Sequence, residues 1–459
     1  MKTRNKLNCF KAYDVRGKLG EELNEKIAYR IGKATVHSLK ATIIAVGFDA
    51  RETSPSFAQA VAKGICDAGA DVLEIGLCGT EEIYSAVSEF KADAGIEITA
   101  SHNPIDYNGM KIVKDGSQPL TSWEFANIKR LAEENICMTT DLSGSIIDKT
   151  VYARETYIEK ILSFVNLQNL KPLKIVINSG NGAAGPTIDA LNSALVEKGV
   201  KTNFVYVHHD PDPLFPNGIP NPLLTENRSA TADAVILEKA EFGVAFDGDF
   251  DRCFLFDHKG NFIPGEYLVG LLTEIFLNKE KGGKIVHDPR VVWNIIDVVN
   301  ECNGNAVVTK TGHAFVKAAM RNAGAIYGGE MSAHHYFRDF YYCDSGMIPW
   351  LMLWELLSKK KVSLGQLITE RFMLFPSSGE LNFKVSKARN IIRKVKATFS
   401  RDAISINEVD GLSMTFENWR FNLRQSNTEP LIRLNVETRG NQLLLKKKTK
   451  ELKSLIDNG

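Results

Sequence analysis

The sequence predicts an α/β protein with mixed sheets, followed by a smaller C-terminal α+β domain. A chain of 459 residues is long enough for about three domains, or four small ones. Strand-like and helix-like segments alternate through most of the chain, which is typical of sheets covered by helices on both faces. From about Pro376 onward the pattern changes to short strands and two helices, which predicts a separate last domain.

Composition excludes several classes of protein. The hydrophobic fraction is 44% and the charged fraction 24%, as in ordinary globular proteins with large cores. The net charge of +1 is not the strongly basic balance expected of a protein that binds nucleic acid or an anionic membrane. The seven cysteines are scattered without a Cys-x-x-Cys pair, which favours neither a zinc site nor a disulfide framework. A reducing cytoplasm therefore fits best.

Two segments could suggest a membrane or an export signal, and neither has the required pattern. The N-terminus is basic, but no apolar core follows it, so we do not expect a signal peptide. The most apolar stretch, residues 347–357, is too short to span a bilayer and contains Pro349 and Glu355. We predict that this stretch is a buried helix.

The first third of the chain predicts one α/β domain ending near Asp148. Residues 10–17 are expected to form an extended loop. The elements predicted after it alternate between helix and strand: a helix at 21–39, a strand at 42–46, a helix from Ser54 to about Ala68, a strand at 71–75, a helix at 81–89 and a strand at 95–99.

The middle of the chain repeats the same rhythm. A helix at 152–165 and a strand at 173–177 begin it, a helix follows Pro186, and a proline-rich loop covers 209–222. The next predicted elements are strands at 242–246 and 253–256, a helix at 267–278, strands at 284–286 and 307–309, and a helix at 315–321. The last domain has strands at 405–409, 419–423 and 431–436, and its final helix covers 442–456.

One hexapeptide, Thr99-Ala100-Ser101-His102-Asn103-Pro104, stands at the end of a strand-like run. Asn103-Pro104 stops regular structure, so Ser101 lies on a loop where open α/β sheets place ligands. A serine hydroxyl is a weak nucleophile until it is activated or already carries a group. The alternative is structural: Ser101 caps a turn and Asn103 forms an Asx-turn.

Three aspartates, Asp247, Asp249 and Asp251, alternate directly after another strand. Carboxylates so close in sequence repel one another unless a cation gathers them. An EF-hand calcium loop would have glycine at its sixth position and glutamate at its twelfth, and this segment has neither there, so Mg²⁺ is the better prediction. Gly248 would let the loop fold tightly. A solvated acidic turn is the alternative. Arg252 would touch a phosphate or balance the carboxylates.

Other polar groups are weaker signals by themselves. The segment from Arg424 to Pro430 offers a guanidinium, two hydroxyls and backbone N–H groups, which suit a phosphate dianion, although a surface turn is the alternative. Residues 328–332 are predicted to be a flexible loop that grips sugar hydroxyls. Lys111 could polarise a phosphate, but an isolated lysine is more often solvated. Three histidines are each more often packing or capping residues than catalysts: His102, His313 and His334.

Taken together, these stretches resemble one family, the α-D-phosphohexomutases, which includes phosphoglucomutases and phosphomannomutases. The resemblance covers residues 10 to about 438, with the serine loop, the acidic loop, the 330–332 loop and the 424–428 loop in the family's order. It implies four domains around a central cleft. Their expected bounds are 1–148 (phosphoserine), 149–257 (Mg²⁺), 258–372 (sugar recognition) and 373–459 (phosphate binding).

The resemblance also implies roles for individual residues. Ser101 would carry the phosphoryl group and supply an oxygen ligand to Mg²⁺ beside Asp247, Asp249 and Asp251. Residues with expected catalytic roles are His102, Lys111, Arg252 and His334, and Lys111, His102 and His334 are unranked candidates for the base. Residues expected to bind substrate are Tyr13, Arg16, Arg290, His313, Glu330, Ser332, Arg424, Ser426, Asn427, Thr428 and Arg433.

The implied activity is a mutase that uses hexose phosphates as its partners. One Mg²⁺ per chain and a hexose 1,6-bisphosphate activator are the expected cofactors, and a monomer or homodimer is the expected state. Two segments, 79–82 and 333–339, are most similar to the bacterial phosphomannomutases that supply GDP-mannose for surface polysaccharide. Ala333 stands where many members have Gly, and Arg290 where some have Lys, which leaves the sugar preference open.

Three competing functions share parts of this pattern. A phosphoglucomutase, or a mutase of dual specificity, has every one of these motifs. A metal phosphatase with a serine nucleophile would release free phosphate and need no bisphosphate. A non-catalytic sugar-phosphate binder would be expected to lack Ser101 or the aspartates, and this sequence has both.

Overall fold

The computed structural model describes residues 6–135, 143–385, 387–425 and 431–458. The chain divides into two compact units. The first comprises Met1–Phe262 and Asp339–Lys361, and the second comprises Ile263–Arg338 and Val362–Gly459. No helix in the described ranges has both the length and the apolar character needed to cross a bilayer.

The first sheet of the first unit is mixed and runs in the order β1-β5-β4-β2-β3-β7, with β6 beside β5. Its strands are β1 (Val15–Lys18), β2 (Ile43–Phe48), β3 (Asp71–Leu77), β4 (Ala94–Ile98), β5 (Tyr107–Lys114), β6 (Gln118–Pro119) and β7 (Ile146–Asp148). Its helices are α1 (Glu25–Leu39), α2 (Ser54–Cys66), α3 (Thr80–Glu89) and α4 (Ser122–Glu134).

The centre of this sheet is parallel, and its edge toward β1 is antiparallel. Strand β2 pairs in parallel with β3 and β4, whereas β5 runs antiparallel to β4 and β1. All five residues of β4 are buried, as expected for a strand covered on both faces. The parallel strands β2 and β4 therefore end at one edge of the sheet, where the segments after Phe48 and Ile98 emerge together.

The second sheet of the first unit runs in the order β11-β10-β8-β9. Its strands are β8 (Lys174–Asn178), β9 (Asn203–Val207), β10 (Phe242–Phe246) and β11 (Cys253–Asp257), and its helices are α5 (Thr150–Leu162), α6 (Ala184–Glu197) and α7 (Ser229–Glu238). Strand β10 pairs in parallel with β8 and antiparallel with β11. The acidic loop joins β10 to β11, so its first carboxylate stands at the carboxyl end of a parallel strand.

The third sheet begins the second unit. Its strands β12 (Lys284–His287), β13 (Asn305–Val308), β14 (Tyr327–Gly329) and β15 (His335–Phe337) lie in the order β13-β12-β14-β15, and its helices are α8 (Gly265–Lys279), α9 (Trp293–Glu301) and α10 (His313–Ala323). The first three strands are parallel, and β15 turns back antiparallel to β14. The turn between β14 and β15 carries Glu330 and Ser332.

The segment that returns to the first unit contains β16 (Cys343–Asp344) and the apolar helix α11 (Met347–Lys360). Trp350 and Trp354 of this helix are fully buried, as predicted for residues 347–357. The buried carboxylate of Glu81 accepts backbone hydrogen bonds from Gly346 (2.9 Å) and Met347 (3.2 Å), the first N–H groups of α11. A carboxylate is well placed there, because the N-terminus of a helix leaves donors unsatisfied.

The last sheet is wholly antiparallel. After α12 (Leu364–Leu374), the strands β17 (Ser377–Lys384), β18 (Ser405–Asn407), β19 (Leu412–Thr415), β20 (Trp419–Gln425) and β21 (Leu431–Thr438) lie in the order β17-β21-β20-β19-β18. Helices α13 (Ala388–Phe399) and α14 (Gln442–Asp457) cover one face, with Leu434 and Val395 among the buried residues of this core. The predicted fold class, α/β domains with mixed sheets and a C-terminal α+β domain, is confirmed, while the exact domain bounds stay a prediction.

Three local expectations were wrong. Part of the expected loop at 10–17 is strand β1, because Val15–Lys18 pairs with β5. Pro186 lies within the first turn of α6, where a missing N–H costs nothing, so the helix begins before it. Gly328 and Gly329 belong to β14 and are buried; they are glycines because a side chain there would collide with Met320 or Val269.

Candidate active site

Ser101 follows β4 and is buried, with its backbone in the left-handed region at φ 48°. Only a few per cent of non-glycine residues adopt this conformation, and it aims a side chain away from the course of the strand. The Ser101 N–H donates to Thr99 Oγ1 at 2.8 Å, which fixes the start of the turn. The Ser101 hydroxyl donates to Asp247 Oδ2 at 3.0 Å, and His102 Nδ1 lies 3.0 Å from Ser101 Oγ.

The serine loop is organised by Arg51, a residue that sequence reasoning missed. Its buried guanidinium donates to four backbone carbonyls of the loop: those of Ser101 (2.9 Å), Asn103 (2.6 Å), Pro104 (2.9 Å) and Tyr107 (3.1 Å). Asp49 accepts the Arg51 backbone N–H and lies 3.5 Å from Arg51 Nε. A planar fork with five donors suits such a task, because it holds several acceptors in one arrangement.

The three aspartates of the acidic loop are all buried, and each offers an oxygen within 4.8 Å of the others. Asp247 accepts from Ser101, so the structure brings together the serine and the acidic loop, 146 residues apart in sequence. Asp249 is also tied to the first domain, since Thr80 Oγ1 donates to its Oδ2 at 2.7 Å. The solvated acidic turn considered above does not describe this loop.

Two cations balance part of this charge. Lys111 Nζ lies 2.6 Å from Asp249 Oδ2 and 2.5 Å from Asp251 Oδ2, so it is not the solvated lysine of the alternative hypothesis. Arg252 donates through Nη2 to Asp247 Oδ2 at 2.6 Å and to His102 Nδ1 at 2.6 Å. Sequence reasoning could not see that Lys111 lies on a strand, β5, whose pairing with β4 carries it to the aspartates.

The pKa values follow from burial and from these pairs. Burial raises the pKa of Asp247, although Arg252 offsets part of the effect. Burial acts the same way on Asp249, but Lys111 more than compensates, so the pKa of Asp249 lies below its usual value. Burial and the adjacent Arg252 lower the pKa of His102 to about 3, so its imidazole is neutral at physiological pH and Nδ1 is a hydrogen-bond acceptor.

The backbones of the serine loop and the acidic loop lie close together. A Cβ atom built on Gly248 would lie 2.8 Å from the carbonyl oxygen of Ser101, a distance that real Cβ atoms do not show. On the other side, a Cβ on Gly182 would meet the Gly248 carbonyl oxygen at 2.8 Å. Gly248 is therefore required for close approach, in addition to the tight turn that the sequence suggested.

The donor set fits a magnesium ion. Three carboxylates and a hydroxyl are hard oxygen ligands. Asp249 Oδ1 is buried and finds no hydrogen-bond partner among the residues that the structure describes, which is unusual for a carboxylate oxygen. A divalent cation would satisfy this oxygen and neutralise the charge that Lys111 and Arg252 leave over.

A second polar cluster lies in the second unit, in the turn after β14. Glu330 is buried and accepts from the backbone N–H of Gly312 (2.8 Å) and the hydroxyl of Tyr336 (2.6 Å). His334 Nδ1 lies 3.6 Å from Glu330 Oε2 and 3.4 Å from Ser332 Oγ. Burial raises the pKa of Glu330, and Arg290 opposes that shift. Acceptors, a hydroxyl and an imidazole in one turn can bind the hydroxyls of a sugar.

Arg290 links this turn to the last sheet. Its Nη2 lies 2.6 Å from Asp288 Oδ2 and 3.3 Å from Ser332 Oγ, and its Nη1 lies 3.5 Å from Glu380 Oε2. Asp288 also accepts the Met331 N–H at 3.0 Å, so one buried carboxylate orients both the arginine and the turn. Asp288 and Glu380 are further polar residues that no sequence pattern singled out.

The remaining predicted residues divide between the two units. In the first, Tyr13 is partly exposed, and Arg16 donates to the carbonyl of Thr99, directly before the serine loop. In the second, His313 begins α10, and Arg424 and Arg433 stand on β20 and β21. Ser426, Asn427 and Thr428 lie outside the described residues.

Comparison with known proteins gives matches over nearly the whole chain. Four family models match in order: phosphoglucomutase/phosphomannomutase alpha/beta/alpha domains I (7–136), II (155–260) and III (264–375), and the C-terminal domain (380–452). A phosphomannomutase of Escherichia coli K12 is 54% identical over 98% of this chain and 99% of its own length. A protein of Xanthomonas campestris named phosphohexose mutases is 50% identical, with 98% and 99% covered. A crystal structure of a phosphoglucomutase/phosphomannomutase family protein from Burkholderia thailandensis superposes with a TM-score of 0.85 at 30% identity, covering 98% of this chain and 97% of that one.

Arg51→Lys tests the organisation of the serine loop. A lysine ammonium cannot reach four carbonyls in a planar fork, so we expect amide hydrogen exchange in residues 100–107 to become about tenfold faster or more. Exchange in β2 and β4 should be unchanged. Arg130→Lys, on the exposed face of α4, is the matched control and should alter nothing. Equal protection of the loop in wild type and Arg51→Lys would contradict the role given to Arg51.

Proposed function

Because the chain belongs to the phosphoglucomutase/phosphomannomutase family, we propose that it interconverts α-D-mannose 1-phosphate and D-mannose 6-phosphate. The proposal is supported by full-length identity to proteins named phosphomannomutase. One geometric observation carries the chemistry: the Ser101 hydroxyl contacts a buried carboxylate of the acidic loop at 3.0 Å. The product would feed GDP-mannose synthesis for surface polysaccharide.

Ser101 is the group that carries phosphate between turnovers. In the first half of the cycle, the bond from phosphorus to Ser101 Oγ breaks and this oxygen takes up a proton. At the same time the free hydroxyl of the hexose monophosphate bonds to phosphorus and gives its proton to a base, for which Lys111, His102 and His334 are the candidates. The product is a hexose 1,6-bisphosphate. In the second half, the other phosphate returns to Ser101 Oγ and the opposite monophosphate is released. A free hexose 1,6-bisphosphate acts as activator, because it restores the phosphoserine if that group is lost.

The chain's own residues position and neutralise the transferred group. Phosphoryl transfer depends mainly on alignment and charge stabilisation, which Arg252 and Lys111 supply from either side of the acidic loop. Asp247, Asp249 and Asp251, with an oxygen of the Ser101 group, would hold one Mg²⁺. When bound, this ion neutralises charge that develops on the phosphoryl oxygens. Arg51 fixes the loop that presents Ser101.

The second unit carries the residues that we assign to the sugar hydroxyls and to the non-reacting phosphate. Glu330 and Ser332 bind sugar hydroxyls. They act together with His334 of the same turn and with His313, which follows the Gly312 N–H that donates to Glu330. Arg290, Arg424 and Arg433 bind the phosphate that is not reacting, together with Ser426, Asn427 and Thr428. A guanidinium fork matches phosphate geometry in two places at once, which is why arginines suit this task. In the first unit, Tyr13 and Arg16 are also assigned to substrate binding.

The preference for mannose over glucose is tested by kinetics on both sugars. Purified protein is assayed with mannose 1-phosphate and with glucose 1-phosphate, in Mg²⁺ and a trace of hexose 1,6-bisphosphate. We expect conversion to the 6-phosphate in both cases, with the larger kcat/KM for mannose 1-phosphate. A larger value for glucose 1-phosphate would identify a phosphoglucomutase, and release of inorganic phosphate as the main product would identify a phosphatase.

Ser101→Ala tests the phosphoserine. Since the variant has no oxygen to carry the phosphoryl group, we expect mutase turnover to fall roughly a thousandfold or more while the protein still folds. Circular dichroism and the melting temperature check the fold. Ser56→Ala, on the outer side of α2, is the matched control and should retain activity. Near-normal turnover by Ser101→Ala would refute this role.

Asp249→Asn tests the metal site. The amide has one oxygen fewer to offer and carries no charge, so the Mg²⁺ concentration for half-maximal activity should rise about tenfold or more, with a lower rate. Calorimetric titration of Mg²⁺ into metal-free protein should show the same weakening. Asp233→Asn, which is exposed on α7, is the control. An unchanged calorimetric titration would rule out Asp249 as a ligand.

A further inference from the structure

The last sheet has one apolar and one polar face. Residues of β20 and β21 alternate, so Leu423 and Leu434 point into the core beneath α13 and α14. The opposite face of β17, β20 and β21 carries charged and amide side chains, namely Glu380, Asn382, Arg420, Asn422, Arg424, Arg433, Asn435 and Glu437. Packing alone does not explain a sheet face with so many buried charged and amide side chains.

Two arginines on that face oppose each other directly. Arg424 and Arg433 are register partners in the β20–β21 pair, which places their side chains side by side. Like charges at directly opposed positions destabilise a sheet. The arrangement therefore needs an anion between the two guanidinium groups.

Glu380 supplies that anion in the structure. Its Oε1 lies 3.3 Å from Arg433 Nη1, and its Oε2 lies 3.3 Å from Arg424 Nη2 and 3.5 Å from Arg290 Nη1. A register shift between Ser377 and Glu380, with Gly379 at φ 65°, re-aims the strand just before this residue. Bulges commonly serve to redirect a side chain in this way.

Glu380 is shared by three guanidinium groups, of which Arg290 is also paired with Asp288 at 2.6 Å. The Nε atoms of Arg290 and Arg424 are buried and find no hydrogen-bond acceptor among the described residues. The ion-pair distances of 3.3–3.5 Å are also longer than those of strong charge-assisted hydrogen bonds. Burial and the neighbouring Arg290 lower the pKa of Arg424, whereas Glu380 acts in the opposite direction.

We propose that Glu380 is the internal counter-ion of the phosphate clamp formed by Arg290, Arg424 and Arg433. It pairs with the arginines when no substrate is present and competes with the substrate's non-reacting phosphate for the same N–H donors. The inference rests on the proposed function. It assigns to Glu380 a role in setting the affinity of that site for phosphate. In a mutase, each phosphate must leave the clamp during every cycle. A built-in competitor stabilises the empty clamp and so speeds this release.

The experiment measures binding of inorganic phosphate to the full-length protein by calorimetry in Mg²⁺-free buffer. Glu380→Gln removes the charge and keeps the shape, so we expect the Kd for phosphate to fall about threefold to tenfold. Glu380→Ala removes the same charge and should shift the Kd in the same direction, which keeps the test valid if one variant folds poorly. Glu380→Asp should return the Kd toward the wild-type value.

Two controls locate the effect. Glu417→Gln, an exposed residue between β19 and β20, should leave the Kd unchanged. Arg424→Met combined with Glu380→Gln should abolish the gain. In the mutase assay, Glu380→Gln should lower both KM and kcat, whereas a residue that only supports the fold would not lower KM.

Unchanged or weaker phosphate binding in both Glu380→Gln and Glu380→Ala would overturn the proposal. Its failure is separate from a failure of the proposed function. If the wild-type protein has no mutase activity but loss of the charge still tightens phosphate binding, the function is wrong and the counter-ion assignment stands. If the mutase is active and the Kd does not fall, the counter-ion assignment is wrong.

Discussion

The structure of the first unit depends on burying three carboxylates beside one hydroxyl. Asp247, Asp249 and Asp251 would each lose hydration on burial, at a cost far above the stabilisation of a single hydrogen bond. The cost is offset by two cations and a hydroxyl that contact the carboxylates. Lys111 comes from β5 and Arg252 from the loop itself, while Thr80 adds a hydroxyl from the start of α3. Several contacts that join the first and second sheets are therefore contacts that form the site.

The second unit applies the same principle with the opposite sign. Here carboxylates from separate strands and loops hold buried arginines in place. Asp288 orients Arg290, Glu437 pairs with Arg420 at 2.5 Å, and Arg420 in turn donates to the carbonyls of Pro289 and Arg290. These two clusters are the places to which we assign the cation, in the first unit, and the non-reacting phosphate, in the second.

Sequence patterns predicted the parts of the fold and site that depend on neighbouring residues. Strand 242–246 was placed at its observed bounds, and the serine and acidic loops were recognised because their residues are contiguous. Strand β5 was missed because Asn108-Gly109 is typical of a turn. In the structure Gly109 is required by close packing instead, since a Cβ there would lie 2.2 Å from the Val15 carbonyl oxygen. Arg51 and Glu380 were missed because each is a single charged residue whose partners become neighbours only through the fold.

The first unit is not a continuous stretch of chain, because Asp339–Lys361 joins it after an excursion through the second unit. During synthesis, the residues up to Phe262 emerge long before helix α11 can fill its place with Trp350 and Trp354. Until α11 is synthesised, residues 1–262 therefore expose the apolar surface that Trp350 and Trp354 later cover. Glu81 also lacks the backbone N–H groups at the start of α11 that it binds in the folded protein. Neither unit can be excised as a simple fragment, and any circularly permuted form must keep α11 together with the sheets it completes.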